Sequence, residues 1–396
     1  MDIKQEYQGT ISPHSFNEFL DGDGALTNRG ELAAASHYDW RAHKLRFEEH
    51  LRGQVLMQAT AYQSTRDQQW AAENDLLFAA NGAAVEISVS GLAQANKNRP
   101  LAPYVKMVQQ VLTSVSELPH RKLRALDKQT WRGIVDVLQN VTLFDATVIE
   151  LPPKLRDAMP ALSRSESDAA LKMHLRLSGQ SGAIKHFMFT QATGTDSPYL
   201  NELLGDLNAQ SGEIFAFDGG YWKIETYHAI VDSGNHLVTK RAGRIQPHFV
   251  SALPFPHDPL PNGYTVLDDA LVHLGDDRSR RYRRIRVRLS TSEEITLLSS
   301  LVDAPVAHIC LLYHYRWTIE IVFRWLKQTL QLDHLMSHDP SGILRQILVA
   351  LIVWGLLIIA NQDETKLSPK ALWRKLMAAM HQAIFDFGFQ QALEHP

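Results

Sequence analysis

Residues 313–327 read Tyr-His-Tyr-Arg-Trp-Thr-Ile-Glu-Ile-Val-Phe-Arg-Trp-Leu-Lys and carry the strongest chemical pattern in this 396-residue chain. Tyr313, Arg316, Glu320 and Lys327 are separated by steps of three, four and seven. At about 100° per residue, that spacing predicts one stripe of a single helix. Ile319, Val322, Phe323 and Leu326 supply the apolar surface such a helix buries. One face then holds a lone carboxylate among two cations and a phenol, a set suited to a metal ion beside a phosphate backbone. The same residues also make an ordinary solvated face, with Arg316 and Glu320 as an (i, i+4) pair.

Two aspartates in apolar settings are the matching candidates. Asp145 lies inside Val-Thr-Leu-Phe-Asp-Ala-Thr-Val-Ile, where a carboxylate is costly unless it is paired or bound to metal. Asp218 ends Glu-Ile-Phe-Ala-Phe-Asp and precedes Gly-Gly-Tyr, whose glycines admit close approach of backbone or ligand. Taken singly, each also reads as a cap or turn former. A divalent ion takes hard oxygen ligands, which carboxylates from two strands and a helix can supply together.

The spacing Tyr-x2-Arg-x3-Glu-x6-Lys resembles the YREK signature of the insertion-sequence-4 family of bacterial transposases. Asp-x-Thr at Asp145, Asp-Gly-Gly-Tyr at Asp218 and the YREK stretch occur in that family's order, over roughly residues 85–360. The resemblance implies a DDE triad of Asp145, Asp218 and Glu320 holding two Mg²⁺ ions, with Mn²⁺ as a substitute. It implies Tyr313, Arg316 and Lys327 as contacts to terminal phosphates, double-stranded DNA (terminal inverted repeats and target) as partner, and a homodimer bridging two ends. The family often shows the Lys-x-His seen at Lys172 and His174, and an arginine after the fifth strand, for which Lys240 and Arg241 are both candidates. Trp222 and Trp317 fit either core packing or stacking on a displaced base. The family's insertion carries a tryptophan, whereas residues 242–305 contain none. A metal-dependent nuclease of the same fold, and a transposase-derived DNA-binding protein without strand transfer, remain as alternatives.

The elements that must position these groups read as α/β (α+β). Residues 1–115 are mostly helical, with helix formers over Leu45–Thr65 and Gln68–Ala80 and a further helix capped by Ser90. By resemblance this region binds the transposon end; otherwise it is a structural bundle. Strands follow over Val141–Leu151, Ala170–Leu177 and Ile184–Gln191, then helix over Asp196–Gln210, strand Glu213–Asp218, helix Tyr221–Ser233 and strand His236–Arg241. That is the order of an RNase H-like core, whose first part spans 116–241. A β-rich insertion occupies 242–305, and the core resumes over 306–396 with the YREK helix, a buried helix and a helical tail opened by Ser368-Pro369.

Inside the insertion Arg284, Arg286 and Arg288 alternate with Ile285, Val287 and Leu289, predicting a half-buried strand with a row of guanidiniums outside. The row suits either phosphate contact or the protection of a solvated sheet edge. Net charge is only −3, so any DNA-binding surface must be local. The single cysteine, Cys310, excludes an intrachain disulfide or a multi-thiolate metal site and fits a reducing cytoplasm, as expected for a protein acting at a bacterial nucleoid. No nucleotide-binding Gly-x4-Gly-Lys loop, His-Glu-x-x-His or Gly-x-Ser-x-Gly occurs. The N-terminus shows no signal-peptide pattern. The apolar run Ile347–Ala360, 14 residues long, falls short of the roughly 20 that span a membrane.

Overall fold

A computed structural model describes residues 37–39, 45–59, 64–74, 86–116, 140–157, 159–161, 168–179, 182–209 and 211–360. The chain forms two compact units, one drawn from Met1–Leu118 with Arg324–Pro396, the other from Pro119–Phe323. The first begins with helices α1 (Phe47–Ala59), α2 (Thr65–Asn74), α3 (Val89–Asn98) and α4 (Ala102–Ser116). Ser88, rather than the expected Ser90, caps α3: its extended backbone lets the hydroxyl accept the Gly91 N–H at 3.1 Å. Ser90 already lies inside the first turn.

The second unit holds one nine-stranded sheet. Its strands are β1 (Val141–Leu151), β2 (Ala169–Ser178), β3 (Ile184–Gln191), β4 (Ile214–Phe217), β5 (His236–Lys240), β6 (Pro247–Ala252), β7 (Thr265–Leu274), β8 (Tyr282–Arg288) and β9 (Glu294–Ser299). They lie in the order β3-β2-β1-β4-β5-β9-β8-β7-β6. β1, β4 and β5 run parallel and all other pairings are antiparallel, so β3-β2-β1-β4-β5 is an RNase H-like core. The insertion is no separate body. Its β9 pairs with β5, and its Val272, Leu274, Tyr282 and Leu298 join Phe144, Phe215, Phe217 and Leu237 in one apolar core.

The helix expected over 196–210 is broken into a turn at Ser197–Tyr199, a short α5 (Leu200–Leu204) and a turn at Leu207–Ala209. Pro198 tightens the start, and Gly205, at φ 68°, ends α5. Helix α6 (Ile224–Asp232) crosses between β4 and β5. The YREK stretch is likewise not a single helix. α7 (Val306–Tyr315) ends before Arg316, and α8 (Trp317–Gln328) begins after it. Bonds from Arg316 N–H to the Tyr313 carbonyl and from Ile319 N–H to the Arg316 carbonyl, both 3.1 Å, tighten the joint.

The segment expected as a single stretch over 306–396 divides. Residues up to Phe323 group with the sheet, and those from Arg324 group with the amino-terminal helices. There α9 (Pro340–Ala360) packs on α1, α3 and α4. Its Arg345, wholly buried, donates to the carbonyls of Asn96 and Arg99 at the carboxyl end of α3, where partial negative charge gathers. The apolar run expected to be too short for a membrane lies in a helix of 21 residues that is long and apolar enough to cross one by length and composition. Burial decides instead: 94% of its apolar window lies inside the protein. The tail expected after Ser368 lies outside the described residues.

Candidate active site

Strand lengths create the site. β1 has 11 residues and β4 only four, and their pairing ends at Phe144 opposite Phe217. The next residue on each strand is an aspartate, so Asp145 and Asp218 emerge side by side where β4 stops. Burial along β1 changes at the same point, from fully buried Val141–Phe144 to half-buried residues from Asp145. Gly219 is required here, since a Cβ would meet the Lys240 carbonyl oxygen at 2.9 Å.

The α7–α8 joint brings the remaining groups. Arg316, its side chain 7% exposed, donates from one terminal nitrogen to Asp145 Oδ2 at 2.6 Å and from the other to Glu320 Oε1 at 2.8 Å. Spanned by one guanidinium fork, those carboxylate oxygens lie within roughly 8 Å of each other. The Tyr313 hydroxyl donates to Asp218 Oδ1 at 3.4 Å, and the Arg316 guanidinium lies 5.5 Å from the Tyr313 ring centre. Thus three acids from two strands and a helix meet around one arginine and one tyrosine.

Electrostatics follow from burial. The Asp145 carboxyl is pushed up to about 6, chiefly by burial; Arg316 and the Ala146 N–H pull it down, and Asp218 and Glu320 push it further up. Burial opposes the charge on Arg316, yet Asp145, Tyr313 and Glu320 together hold its pKa above the ordinary value. Burial, with Asp218 adding to it, keeps the Tyr313 phenol protonated. Among the described residues no three His, Cys, Asp or Glu side chains gather closely enough to hold a metal ion as they stand. The physical reason is the Arg316 guanidinium, which already takes the facing oxygens of Asp145 and Glu320. The donor set nevertheless fits a hard divalent cation: it is all carboxylate, and added positive charge favours the ionised form that burial, and to a smaller extent Asp218 and Glu320, oppose at Asp145.

Other expected contacts fall elsewhere. His174, expected as a DNA contact, is wholly buried here and bonded to the Tyr221 hydroxyl at 2.8 Å and the Thr190 hydroxyl at 2.9 Å, so it presents no surface to DNA in this arrangement. Burial lowers its pKa to about 4, leaving a neutral ring. Lys172 is buried as well, its ammonium donating to Asp196 Oδ1 at 2.8 Å and the Gly194 carbonyl at 2.9 Å, so contact with DNA requires those bonds to break. Lys240 reaches Glu293 at 3.3 Å, and Arg241 donates to the Ile245 carbonyl at 2.9 Å. Arg284 pairs with Asp268, and Arg286 and Arg288 share Glu294. Trp222 packs partly against the core with Arg244 5.4 Å from its ring centre, whereas Trp317 is 48% exposed. Lys327 lies in the last turn of α8. Asp196 carries no motif, and Tyr221 sits in one without a role of its own being apparent from sequence. The one available signal was Tyr221 closing Asp-Gly-Gly-Tyr.

The family described as Transposase DDE domain matches residues 138–356, more than half of the chain and all three acids. The chain belongs to the DDE transposase family. That membership sets the chemistry as DNA cleavage and strand transfer, dependent on a divalent metal. Protein y4zB of Sinorhizobium fredii, itself described as a transposase, is 26% identical over 273 residues, covering 68% of this chain and 70% of that protein. The transposase described for insertion sequence element IS5377 of Geobacillus stearothermophilus is 26% identical over 192 residues, covering 48% and 49%. Among solved structures, the cryo-EM piggyBac transposase synaptic complex with hairpin DNA aligns with TM-score 0.49 at 12% identity, over 99% of this chain and 84% of that one. That likeness is too distant to bear on the site of this DDE transposase.

Proposed function

We propose that this DDE transposase excises an insertion-sequence element and joins it to target DNA, with Asp145, Asp218 and Glu320 holding two Mg²⁺ ions that Mn²⁺ can replace. The observation that carries the reading is the register of β1 and β4, which sets Asp145 beside Asp218, together with the Arg316 fork that ties Glu320 to Asp145. Held by these carboxylates, divalent ions would supply the positive charge that stabilises a transferring phosphate and lowers the pKa of an attacking water or 3′-hydroxyl.

The protein's own groups do the rest. Tyr313 orients Asp218, and Arg316, once its carboxylates have another cation, turns to a terminal phosphate; Lys327 serves the same backbone. Lys240, Arg241 and the row Arg284, Arg286 and Arg288 extend the phosphate track, while Lys172 stays on Asp196. Exposed Trp317 offers a face on which a displaced base stacks, and Trp222 a second, more buried one. The working unit is a homodimer on two inverted repeats, acting at the nucleoid of a bacterial cytoplasm.

A labelled transposon-end substrate incubated with Mg²⁺ tests this. The wild-type protein gives cut and joined products, and Glu320→Gln abolishes both while retaining DNA binding in a gel-shift assay. Nicks without joined product identify a nuclease, and binding alone identifies a DNA-binding descendant. Cutting by Glu320→Gln at the wild-type rate removes Glu320 from the site.

A further inference from the structure

The turn that carries Asp218 is fastened on every side. The Tyr221 N–H closes it onto the Asp218 carbonyl at 3.1 Å, and the Tyr221 carbonyl accepts from the Tyr227 hydroxyl at 3.3 Å. The Tyr221 hydroxyl is bonded to His174 on β2, whose other ring nitrogen is bonded to Thr190 on β3. The Asp196 carboxylate, fixed by Lys172, presses on the turn: a Cβ on Gly220 would stand 3.0 Å from its Oδ2. The neighbouring Ser197 hydroxyl donates to the Trp222 carbonyl. By contrast, among the described residues the Asp218 carboxylate itself takes a single long bond, 3.4 Å from Tyr313. A rigid frame around an open carboxylate is how a metal ligand is preorganised.

We propose that Tyr221, held by His174, and Asp196, held by Lys172, are positioning residues that fix the Asp218–Tyr221 turn and hence the height of the Asp218 carboxylate beside Asp145. This rests on the reading of Asp145, Asp218 and Glu320 as metal ligands. It gives Lys172 and His174 a role in the metal site that neither exerts by touching DNA. Burial, with the charges of Asp196, Asp145 and Asp218 adding to it, raises the Tyr221 pKa well above its ordinary value, so the hydroxyl stays protonated where it meets His174.

Mn²⁺ binding to the purified full-length protein, followed by the electron paramagnetic resonance of the free ion, separates the two levels. Tyr221→Phe removes one hydroxyl and is expected to weaken Mn²⁺ binding about tenfold, the scale seen when partners of metal ligands are removed. Thermal unfolding shifts down modestly, because buried His174 loses a partner, but the protein stays folded at the assay temperature and binding to end DNA stays near wild type. Gly220→Ala is the second variant, since Gly220 is not among the positive-φ glycines and the added methyl perturbs only the Asp196 contact. It is expected to weaken Mn²⁺ binding as well. Asp218→Asn serves as control. If it lowers Mn²⁺ affinity while Tyr221→Phe and Gly220→Ala bind as wild type, the positioning proposal is overturned and the metal site stands. If Asp218→Asn itself binds Mn²⁺ as wild type, the metal reading fails and takes the proposal with it. A loss seen only in proportion to unfolded protein also overturns the proposal.

Discussion

Arg316 and the arginines of β8 look alike as sequence, each a cation suited to phosphate, and differ in what surrounds them. Arg316 is buried between Asp145 and Glu320, while Arg286 and Arg288 are 52% and 49% exposed around Glu294. β8 contains the contrast within itself. Arg283 points to the Ile285 and Val287 face and pairs with wholly buried Asp269, because alternate residues of a strand face opposite ways. Water screens the outer pairs and leaves little net energy in them, whereas removing one partner of an inner pair strands a charge away from solvent. Identical residue types therefore act as fold, as site and as surface according to which face of an element they occupy.

The largest effect belongs to the inner face of β8. Asp269→Ala leaves Arg283 buried without its carboxylate and is expected to cost about 3–5 kcal/mol in urea unfolding. A loss below about 1 kcal/mol would erase the contrast between the two faces, since exposed pairs already reach that value. Arg316→Ala comes next, at about 2 kcal/mol in metal-free buffer. The cost is smaller because Asp145 and Glu320 are partly exposed, and because Asp145, already pushed up to about 6, takes up a proton readily. Added Mg²⁺ should narrow the gap between variant and wild type, since the carboxylates then have another cation. A gap that widens with Mg²⁺ would show that Arg316 does not compete for those oxygens.

Local patterns were legible in the sequence, and the partnerships across the sheet were not. The run Val141–Leu151 became β1 residue for residue because its β-branched and apolar side chains suit a strand paired on both sides. The three acids could be named because each sits in a short, ordered motif. Their mutual arrangement follows from β4 being seven residues shorter than β1, and no local pattern records that difference. The α7–α8 joint at Arg316 was hidden as well, since an unbroken helical spacing continues across it. Asp268 and Glu294 neutralise the β8 row from neighbouring strands, 16 and 8 or 6 residues away, which strand alternation within β8 does not show. Asp196 stayed unnoticed because its partners, Lys172 and Gly220, come from β2 and the β4 turn.

The smallest effect sharpens the comparison on its exposed side. Arg284, Arg286 and Arg288 face two carboxylates, Asp268 and Glu294, so the patch carries one positive charge in excess rather than three. A free arginine on phosphate contributes about one unit to the slope of log K against log salt, so an unpaired row would contribute about three. Replacing all three by alanine is expected to lower the slope for end-DNA binding by about one unit. Folding stability should fall by no more than about 1 kcal/mol, since the bonds of Arg286 and Arg288 to exposed Glu294 are screened and the Arg284–Asp268 pair is only half-buried. A fall of about three would mean that DNA strips Asp268 and Glu294 from their partners, making the row as fully committed to phosphate as Arg316 is to the acids. Because β8 is paired on both sides and is no sheet edge, no change at all would make the row an ordinary solvated face and leave DNA contact to the α7–α8 joint.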